Sequence, residues 1–448
     1  MKNSLVCLLA VCLASPAAAQ NGERPSGGAL TLKDCIERGL ERNFSIKMIK
    51  NRQQVSANNA TPANAGLLPT AEIAASYGGD FHSTSTTERA TGLKTTDRNV
   101  YDGTLDVGVD LNWTLFDGFS VWTNYKQLKL MKEQGELDTR ITIENYVASL
   151  VQEYYNFIQQ SVRLKNYHKN MELSRERFRN AEINYGIGSY SQIDYLQAMV
   201  DFNADSTQYM KQLEYVNTSR IRMNELLNSG DVSRAILLSD TTIDVNSGLR
   251  YEELWRSTLA TNASLLMAHT NTEIARADYK KVMSRDYPYV RLNVGYGYTM
   301  NRYEISATKR RDDWGLNAGV TVGFNLFDGK RRMQKRNAEL DIKYAELERE
   351  NLRLSLRSDL NDYWQAYKNN LQIVQKAREI LNDAERYYEL AYLSYQKGMM
   401  SGFEVREVQN SLLDAEERIL TAEYDTKMCE VSLMLLSGKV LDYLEGGE

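Results

Sequence analysis

The sequence predicts a mainly α-helical chain that also contributes β-strands to a membrane, with one plan repeated in each half. Residues 330–397 contain neither proline nor glycine, and apolar side chains recur there at every seventh position. Side chains with the same spacing occur 210 residues earlier. Ahead of each helical region, segments of about 12 residues alternate apolar and polar side chains, which is typical of strands with two different faces.

The long helices have the spacing of a coiled coil. A helix over residues 328–397 would be about 100 Å long, and a strict seven-residue repeat predicts that it packs along a partner helix. The later apolar set is Leu360, Tyr367, Val374, Leu381, Tyr388 and Tyr395, and the earlier set is Leu150, Phe157, Leu164, Met171, Phe178 and Tyr185. The constant offset favours an internal duplication over two unrelated long helices.

Each long helix is predicted to end at a tight turn and to be followed by a returning helix. Gly186 and Gly188 lie in the first turn, and Gly398 lies in the second. Glycine supplies the backbone freedom that such a turn needs. We expect helical hairpins over about residues 118–228 and about 329–437.

The alternating segments predict one β-hairpin in each half, over about residues 68–115 and about 287–327, with loops at residues 83–99 and 301–313. A strand of about 12 residues is longer than the usual 5–6 and can cross a tilted path through a bilayer. A half-buried strand of a soluble domain is the less favoured alternative. Asp117 and Asp328 follow the predicted strands and are interpreted as helix N-caps.

The chain divides into a leader and two structural repeats. Residues 1–19 have a charged start, an apolar core and a small-residue cleavage site, as in a secretory signal peptide. Processing of a lipoprotein at Cys12 is the alternative. The first repeat is predicted over residues 20–247 and the second over residues 248–448.

Closure of the strands decides the predicted assembly. No stretch of about 18 apolar residues follows the leader, so an exported chain of this kind is either soluble or spans an outer membrane with strands. Four strands cannot close, and an open edge leaves polar groups unsatisfied in lipid. We therefore expect a homotrimer with a 12-stranded outer-membrane β-barrel, continued in the periplasm by a long α-helical coiled-coil barrel.

Composition argues against other classes of protein. The net charge of −5 disfavours a nucleic-acid partner. His82, His168 and His269 are not at metal-ligand spacing, and no glycine-rich phosphate loop with lysine occurs. The sequence predicts no enzyme, no catalytic residue, no metal site and no cofactor. Cys35 and Cys429 are interpreted as free thiols.

These features together resemble the TolC family of outer-membrane efflux and secretion channel proteins. The resemblance covers nearly all of the chain after the leader. It rests on the opening segment at residues 32–43, the two Leu-Phe-Asp-Gly steps at residues 115–118 and 326–329, and the turn motifs Tyr185-x-x-Gly188 with Ile193-Asp194 and Tyr395-x-x-Gly398 with Phe403-Glu404.

The resemblance implies a trimeric duct in the cell outer membrane with a large periplasmic part. Such a duct would be the exit stage of a tripartite efflux pump that passes small molecules from periplasm to exterior. Its implied partners are a periplasmic adaptor (membrane fusion) protein and an inner-membrane transporter. A duct for type I protein secretion is the alternative, and an exported structural coiled-coil protein is a more remote one.

The resemblance also implies a gate that closes the periplasmic tip. Glu404 and Glu407 match the acidic rings of the family, and Tyr395 and Asp194 match residues of its interhelical polar links. Three copies of Glu404 near one axis are expected to raise the pKa of the carboxylates and to attract cations. The chain departs from some members at Met400, where they have an arginine that locks the tip.

Two further sets of residues are assigned roles. Asp106, Asp110, Asn112 and Asn317 are expected to face the barrel lumen, provided that the odd-numbered face of the second strand meets lipid. The turn glycines are expected to contact the adaptor.

Overall fold

The computed structural model describes residues 29–445 of the chain. Within that range the chain forms long helices and one four-stranded antiparallel sheet, so the predicted content of helices and strands is confirmed. The predicted signal peptide and its alternative processing site at Cys12 lie outside the described residues.

The elements run in the following order along the chain. They are α1 (Leu32–Arg42), α2 (Phe44–Asn59), α3 (Pro62–Ala65), β1 (Thr70–Thr87), β2 (Lys94–Asp117), α4 (Ser120–Gly186), α5 (Gln192–Leu226), α6 (Tyr251–Thr261), α7 (Ala263–Ser284), β3 (Tyr289–Arg302), β4 (Arg310–Gly323), α8 (Arg331–Gln396), α9 (Gly402–Leu436) and α10 (Asp442–Glu445).

The long helices pack side by side in two tiers. In the tier next to the sheet the neighbours follow the order α2, α4, α7, α8, and in the tier farther from the sheet the order is α5, α4, α9, α8. Helices α4 and α8 have 67 and 66 residues and run through both tiers. Each is about 100 Å long at the usual rise per residue, as the sequence predicted. We find no helix within residues 29–445 that combines the length and the apolar character needed to cross a bilayer.

The helical hairpins repeat in detail. Helix α9 begins and ends 210 residues after α5, and each of the two begins at a serine N-cap, Ser401 or Ser191. The turns that precede these caps contain Gly188 and Gly398, whose φ angles are 80° and 71°. Both glycines therefore adopt the left-handed conformation that side chains disfavour, which confirms the predicted tight turns.

The short helices ahead of each hairpin repeat with a different offset. Asn43 ends α1 and starts α2, and its side chain accepts a hydrogen bond from the Ser45 backbone N–H at 2.8 Å. Asn262 ends α6 and starts α7, and it accepts from the Leu265 N–H at 3.0 Å. One asparagine thus caps the same helix junction in each half.

The sheet has the order β1-β2-β3-β4, with every neighbouring pair antiparallel. Ile73 pairs with Val109, Val109 with Tyr296, and Tyr296 with Leu316. Because side chains alternate along a strand, this register places the apolar residues of all four strands on one face. Strands β1 and β4 form the two edges.

The predicted loops within the hairpins are wrong in extent. Residues 83–99 were expected as a loop, but β1 continues to Thr87, β2 starts at Lys94, and only residues 88–93 form the connection. Pairing resumes after an irregularity between His82 and Thr84. The second connection is also shorter than residues 301–313, at residues 303–309. Threonine and serine dominate the added length of β1, and β-branched threonine suits a strand although it lacks the apolar alternation used for prediction.

The step from strand to helix differs between the halves, contrary to the duplicated motif. Strand β2 reaches Asp117, whereas β4 ends at Gly323, so Leu326 and Phe327 lie outside the strand and are each 90% exposed. Neither aspartate occupies the N-cap position itself. The Asp117 carboxylate nevertheless accepts the Val121 N–H at 3.1 Å, and the Asp328 carboxylate accepts the Lys330 N–H at 3.0 Å.

The main apolar core lies near the middle of α4, where α1, α4, α9 and the segment after α5 meet. Tyr154 is fully buried there and donates a hydrogen bond to Asp240 at 2.7 Å. The equivalent heptad residues Leu150 and Leu360 both have no exposed surface. Cys35 is buried in this core as a free thiol, in agreement with the predicted thiol state, and Cys429 is free as well.

The unequal strand-to-helix steps predict unequal effects of alanine. A Cβ atom on Gly118 would lie 2.1 Å from the Ser284 carbonyl oxygen, and the φ angle of 68° is unfavourable for alanine. Gly118→Ala should therefore lower the unfolding free energy by at least about 1–2 kcal/mol. The matched control is Gly329→Ala, whose Cβ would meet only the Phe327 ring at 3.8 Å. Thermal loss of the helical circular dichroism signal measures both, and equal transition temperatures would contradict the prediction.

Candidate functional site

One face of the sheet is polar over all four strands. Glu72, Asp110 and Asn317 follow one another across this face. Together they line an open pocket with a volume of about 510 Å³. Asp106 accepts a hydrogen bond from the Thr299 hydroxyl at 2.6 Å on the same face. Asn112 accepts one from Asn293. All four residues predicted for the lumen, which include Asp106 and Asn112, thus share one face.

A glycine creates room for these polar side chains. A Cβ atom on Gly295 would lie 2.2 Å from the Asn317 Oδ1 atom and 2.5 Å from the Asp110 Oδ1 atom. Any larger residue at this position would push the two polar groups apart. The glycine therefore allows polar groups from β2 and β4 to approach each other across β3.

The opposite face of the sheet is apolar and exposed. Ile73 is 80% exposed, Trp314 is 71% exposed and Leu316 is 69% exposed. Contiguous apolar surface of this kind is unusual on a monomeric soluble protein and marks an interaction surface. Outward apolar and inward polar side chains on alternate positions are the arrangement of membrane β-barrels.

The far ends of the helical hairpins hold the predicted gate residues. The Glu404 carboxylate accepts hydrogen bonds from the Ser401 backbone N–H and hydroxyl, both at 2.8 Å. The Asp194 carboxylate accepts the equivalent bonds from Ser191, at 3.1 and 2.7 Å. Each acid thus completes a capping box at the start of its own helix. Glu407 is exposed one turn further along α9.

The capping contacts lower the pKa of the Glu404 carboxyl, whereas a ring of acidic residues was expected to raise it. Within one protomer the two Ser401 donors hold the pKa of the Glu404 carboxyl below its usual value. The expected rise from a ring of like charges concerns several copies and is opposed by this local effect. The rise thus stays a prediction for the assembly.

Tyr395 and Asp194 both line a cavity of about 490 Å³ at the tip, between the two helical hairpins. Burial, together with the neighbouring Tyr190 hydroxyl, raises the pKa of Tyr395 to about 12. Met400 lines the same cavity. The structure therefore brings the predicted gate residues Tyr395 and Asp194 to one place, while the Asp194 carboxylate is engaged by Ser191.

A buried charged cluster near the tip was not predicted. Arg406 on α9 makes a two-pronged ion pair with Asp205 on α5, with distances of 2.6 and 2.8 Å. Asp205 also accepts a hydrogen bond from the Ser174 hydroxyl on α4. Arg177 on α4 donates to Ser174 at 3.0 Å and to the Gly402 carbonyl at 3.4 Å. We call these four side chains the tip cluster.

A signal for this cluster was present in the heptad pattern. Asp205, Gln212 and Ser219 recur at seven-residue intervals on α5, and each is only 2% exposed. Polar residues at such buried positions of a coiled coil specify register at some cost in stability. Reading only the apolar members of the repeat therefore left this stripe unnoticed.

Within residues 29–445, no three His, Cys, Asp or Glu side chains lie close enough together to hold a metal ion. The candidate site is an extended surface made of the polar sheet face, the adjoining helices and the turns at the tip. A sheet with one apolar and one polar face, continued by two long helical hairpins, defines the class of outer-membrane channel subunits.

The chain belongs to the family of outer membrane efflux proteins, which matches residues 35–229 and again residues 254–439. A comparison with curated proteins found no significant match.

Several solved structures share the fold over nearly the whole chain. The CmeC outer membrane channel of Campylobacter jejuni is 15% identical with a TM-score of 0.75, over 91% of this chain and 85% of that one. VceC, an outer membrane protein of Vibrio cholerae, is 17% identical with a TM-score of 0.72, over 91% and 96%. The open state of the MtrE outer membrane channel of Neisseria gonorrhoeae is 15% identical with a TM-score of 0.68, over 92% and 89%. At these identities the likeness establishes the fold.

The capping role of Glu404 predicts a pH dependence at the tip. Since the folded-state pKa lies below the usual 4.5, the carboxylate stabilises the start of α9 above pH 4.5 and loses this effect as the pH falls through the lowered value. Hydrogen exchange of residues 401–405, corrected for intrinsic rates, should therefore accelerate below pH 4.5. Glu404→Gln keeps the capping geometry without the titration and should lack this change. The same acceleration in both proteins would contradict the role.

Proposed function

We propose that three copies of this chain close into one duct, which crosses the outer membrane as a barrel and continues through the periplasm as a helical tunnel. The observation that carries this proposal is the open sheet: β1 and β4 are edges, while one face of the sheet is apolar and exposed. Unpaired edge groups are not tolerated in lipid, so neighbouring copies must supply the missing partners. Three copies give the twelve strands of the predicted barrel.

The edge helices support the same closure. Met333, Leu340, Leu347 and Leu354 recur every seven residues on α8, and each is more than half exposed. Helix α2, at the other edge of the same tier, exposes Phe44, Met48 and Val55 to a similar degree. An α8 stripe from one copy and the α2 face from the next would bury each other. The edge helices and the edge strands would therefore both be covered by the same neighbouring copy.

The polar sheet face would then line the lumen. Glu72, Asp106 and Asp110 would be among the acidic side chains of each copy on the wall of the barrel. Such a lining favours the passage of cations and polar solutes over anions. Asp106, Asp110, Asn112 and Asn317 retain their predicted lumen role on this basis.

The tip would act as the periplasmic gate. Both hairpins end at this point with tight glycine turns, and MtrE, a relative in fold, has been described in an open state. Glu404 and Glu407 would form acidic rings around the axis, with Tyr395 and Asp194 at the cavity beside them. Gly186, Gly188 and Gly398 would offer the exposed surface of the turns to a periplasmic adaptor.

The family match favours an efflux pump for small molecules over a structural scaffold. The duct would receive its cargo from an inner-membrane transporter through the adaptor. The repeats would span residues 20–247 and 248–448; the family matches residues 35–229 and 254–439 as two separate ranges, which supports a division into two. Type I protein secretion would use the same duct with a different transporter.

Disruption of the α8 stripe tests the closure. The Leu347 side chain is 71% exposed in one protomer and would be buried against the next copy in the assembly. Leu347→Glu removes this apolar burial and should weaken each contact between copies by about 2 kcal/mol. Detergent-extracted variant should run as smaller species on native gels and form fewer pores in planar bilayers. Leu93→Glu is the control, since Leu93 is 65% exposed but lies in the β1–β2 connection. Equal assembly of the two variants would refute this contact.

The acidic rings can be tested without loss of the helix cap. Glu404→Gln retains a capping side chain, and the added Glu407→Gln removes the second ring charge. Block of single-channel current by divalent cations should weaken by about tenfold or more in the double variant, because the carboxylates that attract the ion are gone. Asp414→Asn, farther from the tip on α9, is the control for loss of a carboxylate away from the proposed rings. Unchanged block in the double variant would remove the ring hypothesis.

A further inference from the structure

The strand-to-helix step of the second half is incomplete in a single copy of the chain. Strand β4 ends at Gly323, and Leu326 and Phe327 beyond it are each 90% exposed. In the first half β2 continues to Asp117. Both halves have the sequence Leu-Phe-Asp-Gly at this point, so the local sequence does not explain the difference.

The difference follows from which neighbouring strand is present. The pairing of β1 with β2 stops at Asn112, and beyond this residue β2 is held by β3 alone, in pairs that continue to Asp117. The pairing of β3 with β4 stops at Gly323. A strand on the outer side of β4 would have to hold the residues that follow, and the sheet formed by residues 29–445 of one copy has none there, because β4 is its edge. The unpaired step is therefore a consequence of the missing neighbour.

The duplication relates the strands of the two halves by constant offsets. Ile73 of β1 pairs with Val109 of β2. The residues that lie 219 and 211 positions later, Leu292 of β3 and Val320 of β4, also pair with each other. The two hairpins therefore share one register. Applied to the pair β2–β3, the same offsets give the register between β4 of one copy and β1 of the next.

The transferred register keeps the two faces of the sheet continuous. Val109 pairs with Tyr296 inside the chain. By the same relation, Val320 would lie opposite Tyr77 of the next copy, and both residues belong to the apolar face. A slip by one residue would turn the apolar side chains of one strand toward the polar face of the other. Continuity of the faces thus excludes registers that are shifted by an odd number of residues.

The lengths of the edge strands support this register independently. Strand β1 has 18 residues and β4 has 14. In the transferred register Arg310, the first residue of β4, meets Thr87, the last residue of β1. At the other end of β4, residues 70–73 of β1 remain without partners. The four residues that would pair with them are 324–327, which lie outside the strand in a single copy.

The main alternative pairs β4 at its present length from the start of β1. It would set Gly323 opposite Thr70 and leave residues 84–87 of β1 without partners. The transferred register is favoured because it satisfies the backbone groups along the whole of β1.

We propose that residues 324–327 form the end of β4 only in the assembly, where they pair with residues 70–73 of the next copy. The inference rests on the proposed channel function and adds to it the register of the joint between copies. The segment with the two exposed apolar side chains gains its strand conformation when that neighbour is present. The last pair shifts by one residue if the irregularity between Thr114 and Phe116 of β2 is repeated in β4.

Cysteine pairs across the joint test the register in the assembled protein. Glu72→Cys with Asn325→Cys should give covalent trimers on mild oxidation, because the proposal sets these positions opposite each other. Glu72→Cys with Thr321→Cys is the matched comparison, since these positions are opposite each other only in the alternative register. In the proposed register they are offset by four residues, about 13 Å along the strand and too far for a disulfide. The first pair should therefore give at least about tenfold more covalent trimer than the second.

Two controls accompany these pairs. Thr114→Cys with Arg291→Cys is the equivalent pair within one chain and should form an internal disulfide, because Thr114 and Arg291 are paired in the sheet. This control shows that the position accepts a disulfide. Glu72→Cys alone measures any background from the free thiols of Cys35 and Cys429.

The outcomes separate the joint from the channel. Wild-type protein that is monomeric and forms no pore would overturn the proposed function, and the joint with it. Trimers in which Glu72→Cys does not link to Asn325→Cys would overturn the joint alone. If the cysteine variants do not assemble, hydrogen exchange of the wild-type trimer decides. Residues 324–327 should then exchange as slowly as residues 113–116, and exchange as fast as that of residues 88–93 would contradict the proposal.

Discussion

The unpaired edges of one four-stranded sheet are the constraint on which the rest of the structure depends. Edge groups of β1 and β4 need hydrogen-bond partners once the apolar face of the sheet enters lipid. The helices follow the same order, with α2 beyond one edge and α8 beyond the other. A protomer that is open at both edges in the sheet and in the adjoining tier is complete only as part of a ring. The exposed stripe that ends at Leu354 and the exposed face around Met48 are consequences of this constraint.

The two tiers of helices use different chemistry for different purposes. Near the middle, Tyr154 and Leu150 lie in one buried apolar cluster and Leu360 lies in a second, and the two clusters pack the hairpins against the short helices. Toward the tip, polar side chains such as Asp205 are buried beside apolar ones such as Val405. Apolar packing stabilises the part that remains constant, whereas paired polar groups specify a geometry that water can compete for.

Much of the fold could be predicted from the sequence because it is periodic. The seven-residue apolar repeat through Leu360 predicted the long helices, and the alternation of apolar and polar residues through Val109 predicted the strands. Gly398 marked the tight turn between two helices. Strand length was underestimated where threonine and serine replace the apolar alternation, and the end of β4 at Gly323 broke a motif that looked duplicated. The Arg406–Asp205 pair was missed because its partners lie 201 residues apart and neither belongs to an apolar stripe. Periodicity reports local structure, while such pairs depend on how distant helices are placed.

Native mass spectrometry of the protein after gentle extraction from membranes in detergent tests the central claim most directly. Because the sheet cannot close by itself, the account predicts one dominant species with the mass of three chains, which dissociates only under conditions that also unfold the strands. A folded monomer with intact strand content in the same detergent would contradict it, since the edges of β1 and β4 would then be stable without a neighbour.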